Sequence, residues 1–320
     1  MAGWTKSNNN IASGGHQNTL EGNRDAFLVK FNASGVRQWA TYYGGSNEDY
    51  GYSCALDGAG NVYLAGVTLS TNNIAFGGHQ GTLEGGNWGD TFLVKFNASG
   101  VRQWATYYGG TEDEWGAGGL SCAVDGSDNV YMSGETQSTT NIAFGGHQNT
   151  LGANRAGFLV KFNASGIRQW ATYYGGDEID IASSCAVDGL GNVYLTGLTN
   201  STTNIAAGGH QNIYGGGVQD AFLAKFDGEI GTASLFNQVS NENVKINIYP
   251  NPTRGLVTLT FGEKAKREIQ VYDSFGQLVY QTKSSEQQEL VNLYSLSNGV
   301  YQVKVIEDHY YSVKSLIINR

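Results

Sequence analysis

The sequence predicts an all-β protein, and three observations lead to this fold class. The stretch DTFLVKFNASGVRQWATYYGG at 90–110 recurs almost unchanged at 25–45 and 156–176, and in shortened form at 220–228. The phenylalanine that opens each copy recurs at a spacing of 65, 66 and 64 residues: Phe27, Phe92, Phe158 and Phe222. The chain also has 46 glycines and 19 tyrosines but no long apolar stripe at helical spacing, a mixture that suits short strands and tight turns. A period this regular indicates one structural unit copied in tandem.

Each full copy predicts four antiparallel strands. In the best-preserved unit these strands cover 53–57, 61–68, 92–97 and 101–108. Side chains alternate in character along the last two strands. The turn sequence Asp-Gly-Ala-Gly joins the first strand to the second, and Asn-Ala-Ser-Gly joins the third to the fourth. Four strands per copy, with recurring glycine and aromatic positions, are typical of a β-propeller blade. One such sheet buries both of its faces only by stacking on its neighbours, which explains the repetition.

The repeats predict about four whole or partial blades over residues 1–228. Two are complete, at 53–108 and 121–174; a blade without its first strand precedes them, and one without its last strand follows. We therefore expect an open arc or a fragment of a larger propeller. Residues 2–5 align with the middle of a repeat, which leads to the hypothesis that Met1 is an internal methionine of a longer protein.

A different pattern begins after residue 228. Residues 229–243 are polar and lack periodicity, which predicts a linker. The remainder, 244–320, holds both prolines of the chain and a series of alternating segments. Strands are predicted at 244–249, 256–261, 269–272, 278–281, 300–306 and 311–318, with hairpin turns at 273–276 and 297–299. About seven short strands in so short a segment favour an immunoglobulin-like β-sandwich.

The repeats resemble the bacterial β-propeller repeat family abbreviated SBBP. The resemblance is carried by DAFLVKFNASGVRQWATYYGG, by the acidic loop that follows it and by DGxGNVYLxG, and it covers roughly residues 2–228. Two departures affect any site that needs equivalent blades. Ala156 stands where the other copies have Asp, and Ile179 and Ile181 replace a Tyr/Gly pair.

The C-terminal part resembles the sorting domain of the type IX secretion system of Bacteroidetes. The matching blocks, in order, are IYPNPTRG, VYDSFGQLVY, LSNGVYQVKV and SLIINR. This resemblance implies export across the outer membrane, with the type IX machinery as partner and a secreted or surface-attached product after cleavage of the domain. The residues assigned to the sorting motif are Tyr249, Pro250, Asn251, Pro252 and Gly255. No signal peptide is recognisable in this sequence.

Charge is distributed unevenly between the two parts. Lys and Arg number 10 against 20 Asp and Glu in residues 1–241, and 9 against 8 in residues 242–320. An acidic repeat region repels phosphate backbones, which argues against nucleic acid as a partner. Cations, basic proteins and neutral sugars remain as partners. No apolar run approaches the length that spans a bilayer, so no membrane span is expected.

The acidic residues after each Tyr-Tyr-Gly-Gly are the candidates for a ligand site. They are Glu48, Asp49, Glu112, Asp113, Glu114, Asp177 and Glu178, with Asp180 close behind. Because they recur at one end of each blade, we expect them along one rim, where their oxygens could bind Ca²⁺. The competing interpretation is a solvated acidic turn without a metal. No other cofactor is expected.

Further residues recur at equivalent positions and are predicted to be structural. Three aspartates are expected to bond the backbone of their own turns: Asp57, Asp125 and Asp188. Three indoles are expected to pack between blades, with exposed platforms for sugars as the alternative: Trp39, Trp104 and Trp170.

Three cysteines are expected to be small buried residues without disulfides: Cys54, Cys122 and Cys185. Four histidines are expected to be structural and not zinc ligands, since each belongs to a different blade: His16, His79, His147 and His210. Three Asn-Ala-Ser sequons are expected to be turns and not glycan acceptors: Asn32, Asn97 and Asn163.

The function expected from these patterns is binding without catalysis. The chain lacks the GxSxG, HExxH, Walker A and dinucleotide motifs, so no catalytic residue is assigned. An enzyme predicts one blade whose loops depart from the repeat, whereas the full loops are nearly equivalent. The favoured hypothesis is a secreted or surface-displayed adhesion protein with an extracellular glycan or protein as ligand. A glycan-processing enzyme on a propeller scaffold and a structural spacer are the alternatives.

Overall fold

Antiparallel strands build both parts of the chain. The computed structural model describes residues 1–115, 119–228, 233–234, 246–272, 278–307 and 310–320. It divides the chain into two units, Met1–Leu235 and Phe236–Arg320. Most of the predicted linker and the predicted turn at 273–276 lie outside the described residues. Among the described residues, no helix is long and apolar enough to cross a bilayer.

The first unit contains four sheets, one for each predicted blade. Blade 1 has three strands: β1 (Ala2–Thr5), β2 (Asp25–Phe31) and β3 (Arg37–Tyr43). Blade 2 has four strands: β4 (Asp49–Leu56), β5 (Val62–Thr68), β6 (Asp90–Phe96) and β7 (Arg102–Tyr108). Blade 3 has a divided first strand: β8 (Glu114–Trp115), β9 (Ser121–Val124), β10 (Val130–Thr136), β11 (Ala156–Phe162) and β12 (Arg168–Tyr174). Blade 4 has three full strands and a short fourth: β13 (Asp180–Val187), β14 (Val193–Thr199), β15 (Asp220–Phe226) and β16 (Ala233–Ser234).

Two details of the blades differ from the sequence prediction. The first strand of blade 2 begins at Asp49, four residues before the predicted start at Ser53. The register of this strand shifts between Gly51 and Ser53, which marks a bulge that interrupts the alternating pattern. Ala233 and Ser234 pair with the end of β15, so part of the predicted linker completes blade 4.

Consecutive blades pack through a repeated pair of unlike surfaces. Leu93, Trp104 and Tyr108 of blade 2 lie in one buried cluster with Phe158 and Phe162 of blade 3. We call the first surface of a blade its indole face and the second its phenylalanine face. The same arrangement joins blades 1 and 2, and blades 3 and 4. Over the described residues no such cluster joins blade 4 to blade 1, in agreement with the predicted open arc.

Hydrogen bonds fix the indole at each junction. The indole Nε1 of each tryptophan donates to a turn carbonyl of the following blade, at 2.9–3.0 Å: Trp39 to Ala98, Trp104 to Ala164 and Trp170 to Gly228. The tryptophans are at most 5% exposed. The predicted packing of these indoles between blades is therefore confirmed, because a buried indole N–H needs such an acceptor.

The second unit is a two-sheet sandwich. One sheet holds three strands in the order β17 (Ile246–Tyr249), β18 (Leu256–Phe261) and β21 (Gln288–Asn292). The other holds four in the order β20 (Leu278–Ser284), β19 (Arg267–Tyr272), β22 (Gly299–Glu307) and β23 (Tyr310–Ile318). Apolar side chains of both sheets share one core. About seven strands were expected in this unit, and six of them were located in the sequence. The seventh is β21.

Candidate functional site

One carboxylate of each acidic loop is buried at the start of a strand. Asp49, Glu114 and Asp180 have no exposed surface. The remaining candidates are exposed or half-buried: Glu48, Glu112, Asp113, Asp177 and Glu178. The solvated-turn interpretation is therefore wrong for Asp49, Glu114 and Asp180, because the strand that each of them opens begins earlier than predicted.

Backbone N–H groups and side-chain hydroxyls donate hydrogen bonds to the buried carboxylates. Asp49 accepts hydrogen bonds from Gly45 N at 2.8 Å, from Ser70 Oγ at 2.9 Å and from Thr68 Oγ1. Glu114 accepts from Gly110 N at 3.0 Å and from Thr136 Oγ1 at 2.6 Å. Neutral donors compensate part of the cost of burying the carboxylate without supplying a positive charge.

A second buried carboxylate faces two of these three acids. Asp25 and Asp90 are the first residues of β2 and β6 and are fully buried. A carbon placed on the Cα of Gly109 would lie 2.2 Å from Glu114 Oε2 and 2.6 Å from Asp90 Oδ1. Only glycine leaves room between these oxygens.

The two acid pairs are therefore Asp25–Asp49 and Asp90–Glu114. A carbon on Gly44 would similarly lie 2.5 Å from Asp49 Oδ2 and 2.9 Å from Asp25 Oδ1. The third junction has no pair, because Ala156 stands where Asp90 stands in blade 2. Alanine in place of aspartate at position 156 thus removes one carboxylate of the pair that the first two junctions contain.

Burial raises the pKa of both members of each pair. It raises the pKa of Asp49 to about 7, that of Glu114 to about 8 and that of Asp90 to about 6, and the facing carboxylate adds to the increase for Asp49 and Glu114. The pKa of Asp25 is also raised, chiefly by burial. Asp90 Oδ1 is buried and makes no hydrogen bond. A proton on either carboxyl group of the pair would remove the repulsion between them.

The acid pairs predict that the repeat unit loses stability as pH rises. A carboxyl group whose folded-state pKa lies above its unfolded value holds its proton longer in the folded state, so the free energy of unfolding falls through the interval between the two values. For Asp49 and Glu114 the raised values place this fall between about pH 4 and pH 8. Urea unfolding at pH 5.5 and 8.5 should show a loss on the order of 3 kcal/mol.

Asp90→Asn is the matched test of this expectation. Its amide nitrogen takes the position of the unpartnered oxygen and supplies the missing donor at every pH. We expect the variant to be more stable than the parent at pH 8.5 and to show a weaker pH dependence. Asp113→Asn, a change at a half-buried neighbour outside the pair, serves as the control. Equal pH dependence in parent and Asp90→Asn would contradict the coupled titration of this pair.

The remaining rim acids serve neighbouring backbone and side chains. Asp113 accepts from Trp88 N at 2.8 Å, and Asp177 accepts from Thr202 N at 3.0 Å. Glu48 accepts from Tyr50 OH at 2.6 Å. Over the described part of the chain, no three His, Cys, Asp or Glu side chains gather in a way that could hold a metal ion. Ca²⁺ binding along the rim stays a prediction.

The other repeated residues have structural surroundings. Three aspartates accept from the backbone two and four residues on, as predicted: Asp57, Asp125 and Asp188. Three asparagines cap their own turns in the same way: Asn32, Asn97 and Asn163. Three histidines contact a phenylalanine of the next blade: His16, His79 and His147. All three cysteines are free, with Cys122 and Cys185 buried as predicted and Cys54 half-buried.

An exposed aromatic group, not predicted from the sequence, recurs in two blades. Phe76 is 53% exposed, and the guanidinium of Arg102 lies 4.7 Å from its ring centre. Phe144 is 54% exposed, with Arg168 at 4.9 Å. We call these the Phe–Arg stacks. The available signal in the sequence was the variability of this loop position, which holds Ser, Phe, Phe and Ala in the four copies and follows an unvarying Ile-Ala.

The predicted sorting motif connects the beginning and end of the second unit. Asn251 Nδ2 donates to Ser315 O at 2.8 Å, and Asn251 Oδ1 accepts from Ile317 N at 2.9 Å. Gly255 has a φ of 128°, and a side chain there would meet the ring of Tyr294 at 2.7 Å. These two motif residues therefore have structural roles that fix their identity.

The other motif residues face solvent. Tyr249 is 49% exposed, and Pro250 and Pro252 are exposed as well. The final residue, Arg320, donates to the carbonyl oxygens of Arg254 at 3.0 Å and Leu296 at 2.7 Å. The motif thus presents an exposed aromatic and proline surface on a base that the last strand holds in place.

Comparisons with known families assign both parts of the chain. Residues 247–319 match the family described as secretion system C-terminal sorting domain. Residues 38–74 and 169–206 match the β-propeller repeat family SBBP. The chain therefore carries SBBP repeats and a C-terminal sorting domain of type IX secretion, which marks it for secretion or the cell surface and implies contact with the secretion machinery. No curated protein matches.

Three solved structures align distantly with this chain. PorZ, a surface component of the type IX secretion system of Porphyromonas gingivalis, aligns over 97% of this chain and 51% of its own, with 13% identity and a TM-score of 0.22. A fungal alcohol oxidase of the AA5 family, in complex with copper, aligns over 92% and 60%, with 9% identity and a TM-score of 0.30. The BSP domain of a biofilm-associated protein aligns over 99% and 75%, with 8% identity and a TM-score of 0.22. The chain spans about half of the PorZ chain, and TM-scores this low carry no argument about it.

Proposed function

We infer, from SBBP repeats joined to a type IX sorting domain, that this is an exported protein whose blades bind an extracellular glycan or protein without catalysing a reaction. Export follows from the C-terminal domain. Binding and adhesion are our proposal for what the repeats do once outside the cell, and the Phe–Arg stacks are the observation that supports it.

The Phe–Arg stacks have the chemistry of a recognition surface. Each offers an exposed apolar ring held by a guanidinium, and the guanidinium is itself anchored: Arg102 Nη1 donates to Asn73 O at 3.3 Å, and Arg168 Nη1 donates to Asn141 O at 3.1 Å. An anchored aromatic ring loses little conformational entropy when a sugar ring or an apolar side chain stacks on it. The recurrence of the exposed ring at equivalent positions in two adjacent blades supports a binding role.

Two equivalent stacks favour a repetitive ligand. Blades 2 and 3 each carry one stack, while the corresponding loop residue is Ser13 in blade 1 and Ala207 in blade 4. A polymer with regularly spaced units, such as a glycan chain, can engage both rings at once, and the second contact then forms at a high effective concentration. Weak single contacts would add up to useful adhesion.

The enzyme alternative has less support. Glycosidic chemistry requires a pair of carboxyl groups. The blades contain the pairs Asp25–Asp49 and Asp90–Glu114, but all four side chains are fully buried. A glycosidase needs its two carboxyl groups on either side of an accessible bond. The exposed acids include sequence neighbours such as Glu112 and Asp113, and none of them has a repeated geometry that assigns it as acid or base.

A glycan and extracellular-matrix array tests the binding proposal. The parent chain, with and without Ca²⁺, should retain at least one ligand, and Phe76→Ala combined with Phe144→Ala should reduce its retention roughly tenfold or more, since two stacking contacts of about 1 kcal/mol each are lost. Val101→Ala, at an exposed hairpin turn, is the matched control and should bind as the parent does. An array on which the parent retains nothing under either condition would favour the spacer alternative. If the double variant retains the ligand as well as the parent does, the Phe–Arg stacks are not part of the binding site.

A further inference from the structure

The guanidinium groups of the two Phe–Arg stacks have no negative partner among the described residues. Arg102 and Arg168 are half-buried, and each donates to a neutral carbonyl oxygen through Nη1. Neither forms an ion pair with a described carboxylate, whereas three other basic side chains of the repeat unit do: Arg24, Lys95 and Arg155. The positive charge of the stacks is therefore available to a ligand.

The histidine near each guanidinium adds no charge of its own. His16 lies near Arg102, and His79 lies near Arg168. Burial, together with the neighbouring arginine, lowers the pKa of both imidazoles below their ordinary value. Both histidines are therefore neutral at pH 7, and the charge of each stack comes from its arginine.

The acidic loops lie at the other end of the blades. Arg102 is the first residue of β7, and the loop that contains Glu112 and Asp113 follows its last residue, Tyr108. At about 3.3 Å per residue, the strand separates the guanidinium end from this loop by roughly 20 Å. The distance exceeds the screening length of about 8 Å at physiological ionic strength. The acidity of the repeat unit therefore does not exclude an anionic ligand at the stacks.

The aspartate turns at the same end of the blades lie across the sheet from the stacks. Asp57 follows β4, whereas Phe76 bridges to Ala105 on the outer edge of β7. The strand order is β4-β5-β6-β7, with neighbouring strands about 4.8 Å apart. Lys95 also pairs with Asp57 at 3.4 Å. The outer edge that carries the stacks is thus separated from the carboxylates of both ends.

We propose that each Phe–Arg stack binds a sugar that carries a carboxylate, so that blades 2 and 3 together recognise a uronate polymer. The inference rests on the proposed binding function and names the class of glycan. The exposed ring supplies an apolar surface for the sugar. The planar guanidinium suits a carboxylate, and its bond to the loop carbonyl holds it in place. A polymer with a charge on successive sugars engages both stacks at once.

Polygalacturonate and its fully methyl-esterified form provide the test in the full chain. The ester keeps the sugar rings and their linkages but removes the charge. We expect the parent to bind polygalacturonate about tenfold or more tightly than the ester at low salt, because charged hydrogen bonds are lost in the ester. The difference should shrink at high salt.

Two results would overturn the inference while the proposed function stands. One is equal binding of the acid and the ester, or binding of neither while another glycan is retained on the array. The other is competition by polyglutamate as effective as that by polygalacturonate, which would assign the stacks to an acidic protein. An array that retains nothing would overturn the inference and the proposed function together.

Arg102→Gln combined with Arg168→Gln identifies the groups that read the charge. We expect this variant to lose about tenfold or more in affinity for polygalacturonate and to bind the ester within about twofold of the parent. An equal loss for both polymers would indicate a merely structural role and contradict the proposal. Arg37→Gln is the matched control, because Arg37 bonds its own loop in the same way but its blade has Ser13 at the phenylalanine position.

Ser13→Phe tests the pairing of ring and guanidinium by a gain of binding. The substitution places a phenylalanine in the loop that Arg37 bonds and should complete a third stack. We expect the affinity for polygalacturonate to rise about threefold or more, since the additional contact forms at a high effective concentration. The gain should disappear when Ser13→Phe is combined with Arg37→Gln. A gain that survives this combination, or no gain at all, would contradict the proposal.

Discussion

Deletion of residues 244–320 is expected to abolish delivery of the protein to the cell surface and to leave the repeat unit in the periplasm. The deleted residues contain the sorting domain at 247–319, and the repeat unit has its own buried clusters, so it should fold without that domain. Cell fractionation of the natural host, with antibody detection on intact cells, measures the result. Unchanged surface display of the truncated protein would contradict the assignment.

A finer variant separates the sorting motif from the presence of the domain. Asn251→Ala removes the hydrogen bonds to Ser315 and Ile317, each worth about 1 kcal/mol. We expect reduced surface delivery with part of the protein retained in the periplasm. Asn247→Ala, at an exposed position of the neighbouring strand, is the control and should be exported normally.

Alanine in place of Trp104 is expected to lower the free energy of unfolding of the repeat unit by about 3–5 kcal/mol. The side chain is 5% exposed, belongs to the cluster between blades 2 and 3, and donates to Ala164 O at 2.9 Å. Its loss leaves a cavity at the junction and an unsatisfied turn carbonyl. Denaturant unfolding followed by circular dichroism measures the change.

Two control variants are compared with Trp104→Ala in this measurement. Trp104→Phe keeps much of the apolar volume but loses the hydrogen bond, and should be affected clearly less than alanine. Phe76→Ala removes an aromatic side chain that is 53% exposed and should change the free energy of unfolding by no more than about 0.5 kcal/mol. Similar effects of Trp104→Ala and Phe76→Ala would contradict the buried, inter-blade position of the indole.

Much of the fold could be predicted because the same local signals recur. The turns at Asp57 and Asn97 each combine an Asx residue with a glycine, and the strands that flank them alternate. Trp104 could be assigned to a junction because it holds a fixed place in an alternating strand. Short strands such as β16 and β21 escaped prediction because two to five residues carry too little periodicity.

The acid pairs could not have been predicted, because their members meet only when blades stack. Asp90 and Glu114 lie in different blades and come together across Gly109. The sequence places Glu114 in a run of acidic residues that resembles a solvated loop, and nothing local distinguishes it from Asp113. The bulge that moves the strand start to Asp49 is likewise set by pairing with the next strand.

A double-mutant cycle between Trp104 and Phe162 tests the stacking of unlike faces most directly. The two rings lie in consecutive blades with centroids 6.5 Å apart. The account predicts a coupling free energy of about 1 kcal/mol for Trp104→Ala with Phe162→Ala, and essentially none for Trp104→Ala with Phe226→Ala, whose ring lies at the next junction. Additive effects in the first cycle would contradict it.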